Sequence, residues 1–250
     1  MLECSLTSCF DGYNRQNAPD QELGLRKSMF QIKICGITAI DDAIAAADAG
    51  ADAIGLNFYP KSSRFVDMAA ARQIVNALPT AVKKVGVFVN AEAAEVRSAV
   101  HQLSLDIVQL HGDETPDFVA SLANLPVVRA FRPDRDFESV YAYIKHCDVL
   151  NCRPAMILID AFKPGEYGGT GEAADWNAVS RLRATLNNIP VVLAGGLNPE
   201  NVASAISLVR PWAVDTASGV ENSPRRKSKD RMQAFVAEAK RAFDLQRSNR

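Results

Sequence analysis

Residues 31–58 read QIKICGITAIDDAIAAADAGADAIGLNF. A short apolar run, IKIC, ends at Cys35 and Gly36. An alanine-rich stretch follows and stops at Gly50, and a second apolar run, ADAIGLNF, begins at once. A strand-length run, a helix pattern and another strand-length run make the repeating unit of a parallel sheet. Cys35 stands at the strand-to-helix turn. A buried strand can hold a cysteine for packing. A strand end can also present one as a nucleophile or a base.

The alternation continues along the chain. Candidate strands are IKICG, ADAIGLNF, KKVGVFVN, LDIVQLHG, PVVRAFRP, AMILIDA, PVVLAGG and WAVDTAS, with helical patterns between them and a last one, KDRMQAFVAEAKRAF. Thr38, Asp67, Asn90, Thr115 and Asn198 stand where N-caps belong. Pro116 and Pro199 occupy first helical positions, and Gly50 a C-cap position. The strands are nearly continuous in apolar character, as in a sheet covered on both faces. The fold class expected is α/β, a single closed (β/α)8 barrel of eight parallel strands over residues 29–250. Residues 1–28, poor in periodic apolar residues, are expected to form a flexible extension, and Met29 marks an alternative translation start. The competing layout is an open doubly wound sheet. Its dinucleotide-binding version is weakened because no GxGxxG follows the first strand.

The 250 residues are 48% apolar and 23% charged, with a net charge of −1, as in an ordinary soluble domain. That balance argues against nucleic acid or a membrane surface as the main partner, while leaving room for a local anion pocket. No apolar run reaches the roughly 18 residues of a membrane span, and the opening residues lack the apolar centre of a secretory signal. The five cysteines, Cys4, Cys9, Cys35, Cys147 and Cys152, are irregularly spaced without a CxxC. Neither a disulfide framework nor a zinc site is suggested, and a reducing, cytoplasmic setting is the default.

In such barrels the chemistry gathers at the C-terminal ends of the strands. Those ends carry Cys35, Asn57 with Lys61 and Arg64 beyond it, Gln109 and His111, Arg129, Asp160, and Asp215 followed by Ser218. Alternation places Ile32 and Ile34 on one face and Lys33 and Cys35 on the other; Ile157 and Ile159 likewise oppose Leu158 and Asp160. With the branched pairs against the helices, Cys35 and Asp160 point into one cavity. A one-residue slip would reverse this. Three late turns, GEYGGTG, AGGLNPENV and ASGVENSP, are glycine-rich. Glycine lets backbone amides approach an anion, and phosphate commonly sits at the last two loops of such barrels, where GVENSP can supply a helix start. The candidate phosphate residues are Gly169, Gly171, Gly195, Gly196, Ser218 and Gly219.

Each of these residues has a plainer reading. Cysteine is commonly buried for packing. A strand-end aspartate such as Asp160 can merely cap a loop, and Arg64 alone reads as a solvated loop residue. His111 can act as a base or only line the rim. Asp215 can contact a substrate or anchor its loop. Cys147, Cys152, His101 and His146 read as structural, and the RRKSK run as a solvated turn.

The motifs KICGI (33–37), GLNFYPKSSRFV (55–66), VGVFVN (85–90), QLHGDE (109–114), ILIDA (157–161), YGGTG (167–171), DW (175–176), LAGGLNPENV (193–202) and VDTASGVE (214–221) resemble the phosphoribosylanthranilate isomerase family. The likeness is spread over residues 30–242, strand by strand. It implies a metal-free, cofactor-free Amadori rearrangement of N-(5'-phosphoribosyl)anthranilate. Cys35 is then the general base and Asp160 the general acid. Arg64 meets the anthranilate carboxylate, and the late glycine turns hold the phosphate; from their strand-end positions His111, in a positioning role, and Asp215 are the further substrate-binding candidates. The expected partner is a phosphorylated small molecule, and the expected state a monomer or homodimer. The chain departs from the family pattern at Ala174 before DW, at Ala217 where serine is common, and in SPRRKSKD. A histidine-pathway aminoaldose isomerase is the nearest rival, but it is expected to carry aspartate at the position of Cys35. An indole-forming synthase would want a catalytic lysine. A phosphate-ligand-binding or scaffolding subunit is the non-enzymatic alternative.

Overall fold

Eight β-branched runs pair in parallel, in chain order, and the last closes on the first. In the computed structural model, which describes residues 29–122, 124–132, 137–160, 176–186 and 189–248, these are β1 (Ile32–Cys35), β2 (Ala53–Asn57), β3 (Lys83–Phe88), β4 (Ile107–Leu110), β5 (Val127–Phe131), β6 (Met156–Asp160), β7 (Val191–Ala194) and β8 (Ala213–Thr216). The helices are α1 (Ile40–Ala49), α2 (Met68–Ala77), α3 (Ala93–Leu103), α4 (Pro116–Ser121), α5 (Glu138–Val149), α6 (Trp176–Thr185), α7 (Val202–Val209) and α8 (Lys229–Ser248). The closed barrel displaces the open-sheet alternative: β1 pairs with β8, Lys33 opposite Asp215. The proposed extension, residues 1–28, lies outside the described residues.

Strand alternation sorts the apolar residues into two cores. Ile32, Ile34, Ile54, Leu56, Ile157, Ile159 and Leu193 pack outward against the helices. Ala53, Val85, Ile107, Val128, Met156, Leu158 and Val192 fill the barrel interior, with Phe30 just ahead of β1. On β2 the inner residues Ala53 and Gly55 are small, which leaves room beside them for Lys33 and Cys35 of β1. α8 packs on α1 and α7 and completes the helical ring. Its buried Met232, Phe235, Val236, Ala239 and Phe243 follow helical spacing. Burying each large side chain contributes about 1.5–3 kcal/mol.

The caps are partly as expected. Asp67 accepts from Ala70 N and Thr115 from Phe118 N, with Pro116 at the first helical position. Gly50 ends α1 in the left-handed region at φ 87°. Three assignments change. Thr38 donates to the Arg225 carbonyl instead, and Ala39 precedes α1 without a side-chain cap. Asn90 binds the loop after β4, while Glu92 and Glu95 form the capping box of α3. Asn198 accepts from Glu200 N and Asn201 N, and α7 begins three residues later than its proline suggests. In each case a short polar side chain finds a nearer backbone partner than the helix end. The segment after β8 forms a short 3-10 turn (Ser218–Val220), followed by a small antiparallel hairpin. Its strands are β9 (Glu221–Ser223) and β10 (Arg226–Lys227).

Candidate active site

Cys35 and Asp160 both face the barrel interior at the C-terminal end of their strands, as the alternation requires. Gly55 on β2 makes room for Cys35. The two residues pair across the sheet. A Cβ on Gly55 would lie 2.7 Å from Cys35 Sγ and 3.1 Å from Lys33 Cε, closer than atoms tolerate. The Gly55 carbonyl also accepts from Gly36 N (2.9 Å) and Ile37 N (3.0 Å), which pins the turn after the cysteine. Gly36 has φ +71°, and its missing Cβ would meet Arg64 Cδ at 2.3 Å. Only glycine accommodates both constraints.

One layer deeper, Lys33 is fully buried, with Nζ 2.9 Å from Asp215 Oδ1. Burial pulls the Lys33 ammonium down, but Asp215 and Cys35 more than offset this, and its pKa is raised. Asp215 faces Lys33 in an internal ion pair, although burial outweighs Lys33 and pushes its own carboxyl up. Burial pushes the Cys35 thiol up; Lys33 pulls it down, Asp215 adds to the rise, and Lys227 opposes it, leaving the pKa raised.

Arg64, on the loop after β2, makes a two-pronged ion pair with Glu221: Nε–Oε1 and Nη2–Oε2 are both 2.7 Å. Lys227 reaches the same carboxylate at 3.0 Å and the Ala217 carbonyl at 2.8 Å. The RRKSK run is therefore only partly a solvated turn. Arg225 and Arg226 are exposed, while Lys227 is buried. Glu221 and Lys227 escaped the sequence reading. The available signal was strand parity within the hairpin, which turns every second residue inward.

Across the barrel, Asp160 Oδ2 lies 3.6 Å from His111 Nε2 and 3.2 Å from Arg132 Nε. The Gln109 amide nitrogen, a donor, sits 3.1 Å from His111 Nδ1. That assignment makes Nδ1 the acceptor and leaves the ring proton on Nε2, toward Asp160. Burial pushes Asp160 up, but His111 and Arg132 outweigh it and hold the carboxyl below its ordinary range. Arg129, named among the polar strand-end residues, points the other way. Val128 and Ala130 face inward, so Arg129 lies outside the barrel. There it binds the Gly112 carbonyl (2.9 Å) and stacks on Phe131 and Tyr143. Arg132, three residues on, has the inward parity, and sequence reasoning passed over it.

Of the six candidate phosphate residues, Gly169 and Gly171 lie outside the described residues. Gly195 and Gly196 follow β7 in succession at φ 91° and 70°, and nothing stands within 4 Å of a Cβ built on Gly196. A Cβ on Gly219 would fall 1.8 Å from the Leu197 carbonyl oxygen, so the loops after β7 and β8 touch only because Gly219 has no side chain. Ser218 is exposed at the start of the 3-10 turn, where the expected helix start is a single short turn. Among the described residues, no three His, Cys, Asp or Glu groups are placed to hold a metal ion, and no helix is long and apolar enough to cross a membrane. A cavity of about 760 Å³ between the β2–α2 loop and α3 is lined by none of these groups.

A family model described as N-(5'-phosphoribosyl)anthranilate isomerase matches residues 32–238. The protein of that name from Acidithiobacillus ferrooxidans is 46% identical over 209 residues, covering 84% of this chain and 97% of the relative. The crystal structure of phosphoribosyl anthranilate isomerase from Thermotoga maritima superposes with a TM-score of 0.74 at 41% identity, covering 85% of this chain and 99% of that one. A further solved isomerase contains reduced 1-(o-carboxyphenylamino)-1-deoxyribulose 5-phosphate, with a TM-score of 0.72 at 38% identity over 85% of this chain and 99% of that one. Fold, strand-end groups and likeness along nearly the whole barrel agree, and the chain belongs to the N-(5'-phosphoribosyl)anthranilate isomerase family.

Proposed function

We propose that the protein converts N-(5'-phosphoribosyl)anthranilate to 1-(o-carboxyphenylamino)-1-deoxyribulose 5-phosphate, with Asp160 as general acid and Cys35 as general base. What supports this reading is the pair itself: a thiol that ends β1 and a carboxyl that ends β6, both turned into the mouth of one barrel. Opening the ribose ring needs a proton on the ring oxygen as the nitrogen lone pair pushes in. Asp160 supplies it. The iminium so formed acidifies the C2′ proton. Cys35, on the other side of the sugar, removes it as a thiolate. Protonation at C1′ and ketonisation complete the rearrangement.

In the free protein the protons sit the other way round. Burial favours the neutral thiol on Cys35, and His111 with Arg132 favours the carboxylate on Asp160. The working form is the tautomer with that one proton moved from sulfur to carboxyl. Entry of an anionic substrate favours a protonated Asp160 by like-charge repulsion. His111 orients the carboxylate, and Asp215 fixes Lys33. Arg64 receives the anthranilate carboxylate through the part of its guanidinium not used by Glu221. The backbone around Gly195, Gly196, Ser218 and Gly219, with Gly169 and Gly171, receives the phosphate. The protein works as a cytoplasmic monomer or a homodimer. Residues 29–250 form the catalytic domain.

The test is turnover. Substrate is generated in situ and its fluorescence followed with purified full-length protein. Loss of the signal at an enzymatic rate supports the reading. A folded protein that binds the product analogue without turnover would be a binding protein. Turnover only of a histidine-pathway aminoaldose would make it the rival isomerase.

A further inference from the structure

Five charged groups gather around Cys35. Lys33 lies on its own strand, Asp215 on β8, Arg64 on the loop after β2, Glu221 on β9 and Lys227 on β10. His111 and Asp160 face Asp215 from the far side of the barrel. Three of the five are cations and two are carboxylates. The pairing is uneven. Asp215 is taken by Lys33 at 2.9 Å, and Glu221 by both prongs of Arg64 at 2.7 Å. Lys227 shares an oxygen that Arg64 already holds, and its other partner is the neutral carbonyl of Ala217. Its side chain is fully buried. A buried ammonium without a carboxylate of its own is costly unless another negative charge is at hand.

We infer that Lys227 is a positioning residue for Cys35: its buried ammonium, surplus once Asp215 and Glu221 have each taken a cation, adds to Lys33 as counter-charge for the thiolate. The inference rests on the reading of Cys35 as the base. The electrostatics agree in direction: after Lys33, Lys227 draws the thiol down, and burial lowers the Lys227 ammonium while Glu221 and then Cys35 pull it back up. Glu221 has the opposite effect, since it neutralises a cation beside the sulfur.

The test reads Cys35 ionisation without substrate. The rate of iodoacetamide labelling of the Cys35 peptide is followed against pH by mass spectrometry, using full-length protein. The midpoint of that curve does not depend on how easily the reagent enters. Lys227→Met is expected to raise the midpoint by about one pH unit, and Lys227→Arg, which keeps the charge, to stay nearer wild type. Glu221→Gln is expected to lower it, and this arm stands alone if Lys227→Met does not fold. In turnover, Lys227→Met is expected to lower the plateau of kcat/KM about tenfold and to move its alkaline limb up by the same factor. A purely structural lysine would lower activity without moving that limb. Unchanged labelling midpoints in Lys227→Met and Glu221→Gln would overturn the inference. Absence of turnover in wild type would instead remove the isomerase reading and leave the labelling result intact.

Discussion

The β1 and β6 sides of the barrel mouth each carry one proton-handling group, in opposite surroundings. Cys35 sits among three cations and two carboxylates, and desolvation outweighs them in favour of the neutral thiol. Asp160 sits beside a histidine and an arginine whose side chain is 65% exposed; burial pushes its carboxyl up, but those two neighbours outweigh burial and favour the carboxylate. The difference shows how one fold keeps an acid and a base apart. Each group rests in the protonation state that does no chemistry, and the reactive pair is a minor tautomer of the same total charge.

The largest effect that would break this comparison is loss of one member. Asp160→Asn removes the proton donor while keeping the shape, and is expected to lower kcat about 10²–10⁴-fold. Turnover near wild type would take Asp160 out of the mechanism. Gly55→Ala acts on the other side without removing a titrating group. Its Cβ would meet Cys35 Sγ at 2.7 Å, and misplacing the sulfur by about 1 Å is expected to cost about 10²-fold in kcat. The thiol labelling midpoint would show whether the charge environment survived.

The pH profile sharpens the comparison further. With Cys35 raised and Asp160 lowered, kcat/KM should be level between the two pKa values. On the acid side both groups become protonated and the thiolate is lost. On the alkaline side both lose their protons and the acid is lost. The acid limb therefore belongs to Asp160 and the alkaline limb to Cys35, the reverse of the assignment for an acid and base resting in their working forms. An acid limb unchanged in Asp160→Asn would contradict this. The smallest effect is expected for Arg132→Ala. Removing this exposed cation should raise the Asp160 pKa, shift the acid limb up by less than about one unit and lift the plateau a few-fold at most. A downward shift would give Arg132 some other role.

Much of the fold was legible because strand and helix patterns alternate without interruption. Ile32 and Ile34 against Lys33 and Cys35, and Ile157 and Ile159 against Leu158 and Asp160, set the register by simple parity, and both pairs lie as that parity requires. The same rule, applied to β5, would have sent Arg129 outward and brought Arg132 in. The charge network was harder to see. Glu221 and Lys227 belong to a short hairpin beyond the barrel, in a stretch whose neighbours, Arg225 and Arg226, are solvated. Composition cannot separate one buried lysine from two exposed arginines; only the pairing of β9 with β10 does so. The caps at Thr38, Asn90 and Asn198 misled for a related reason. Short polar side chains bind whichever backbone group comes nearest, and tertiary contacts decide which that is.

The most direct test of the central claim is Cys35→Ala, with turnover measured on substrate generated in situ at saturating concentration and folding checked by circular dichroism. The account predicts a folded protein that still binds the reduced product analogue but turns over about 10²–10⁴-fold more slowly. Turnover near the wild-type rate would mean that another group removes the C2′ proton and that Cys35 is a packing residue.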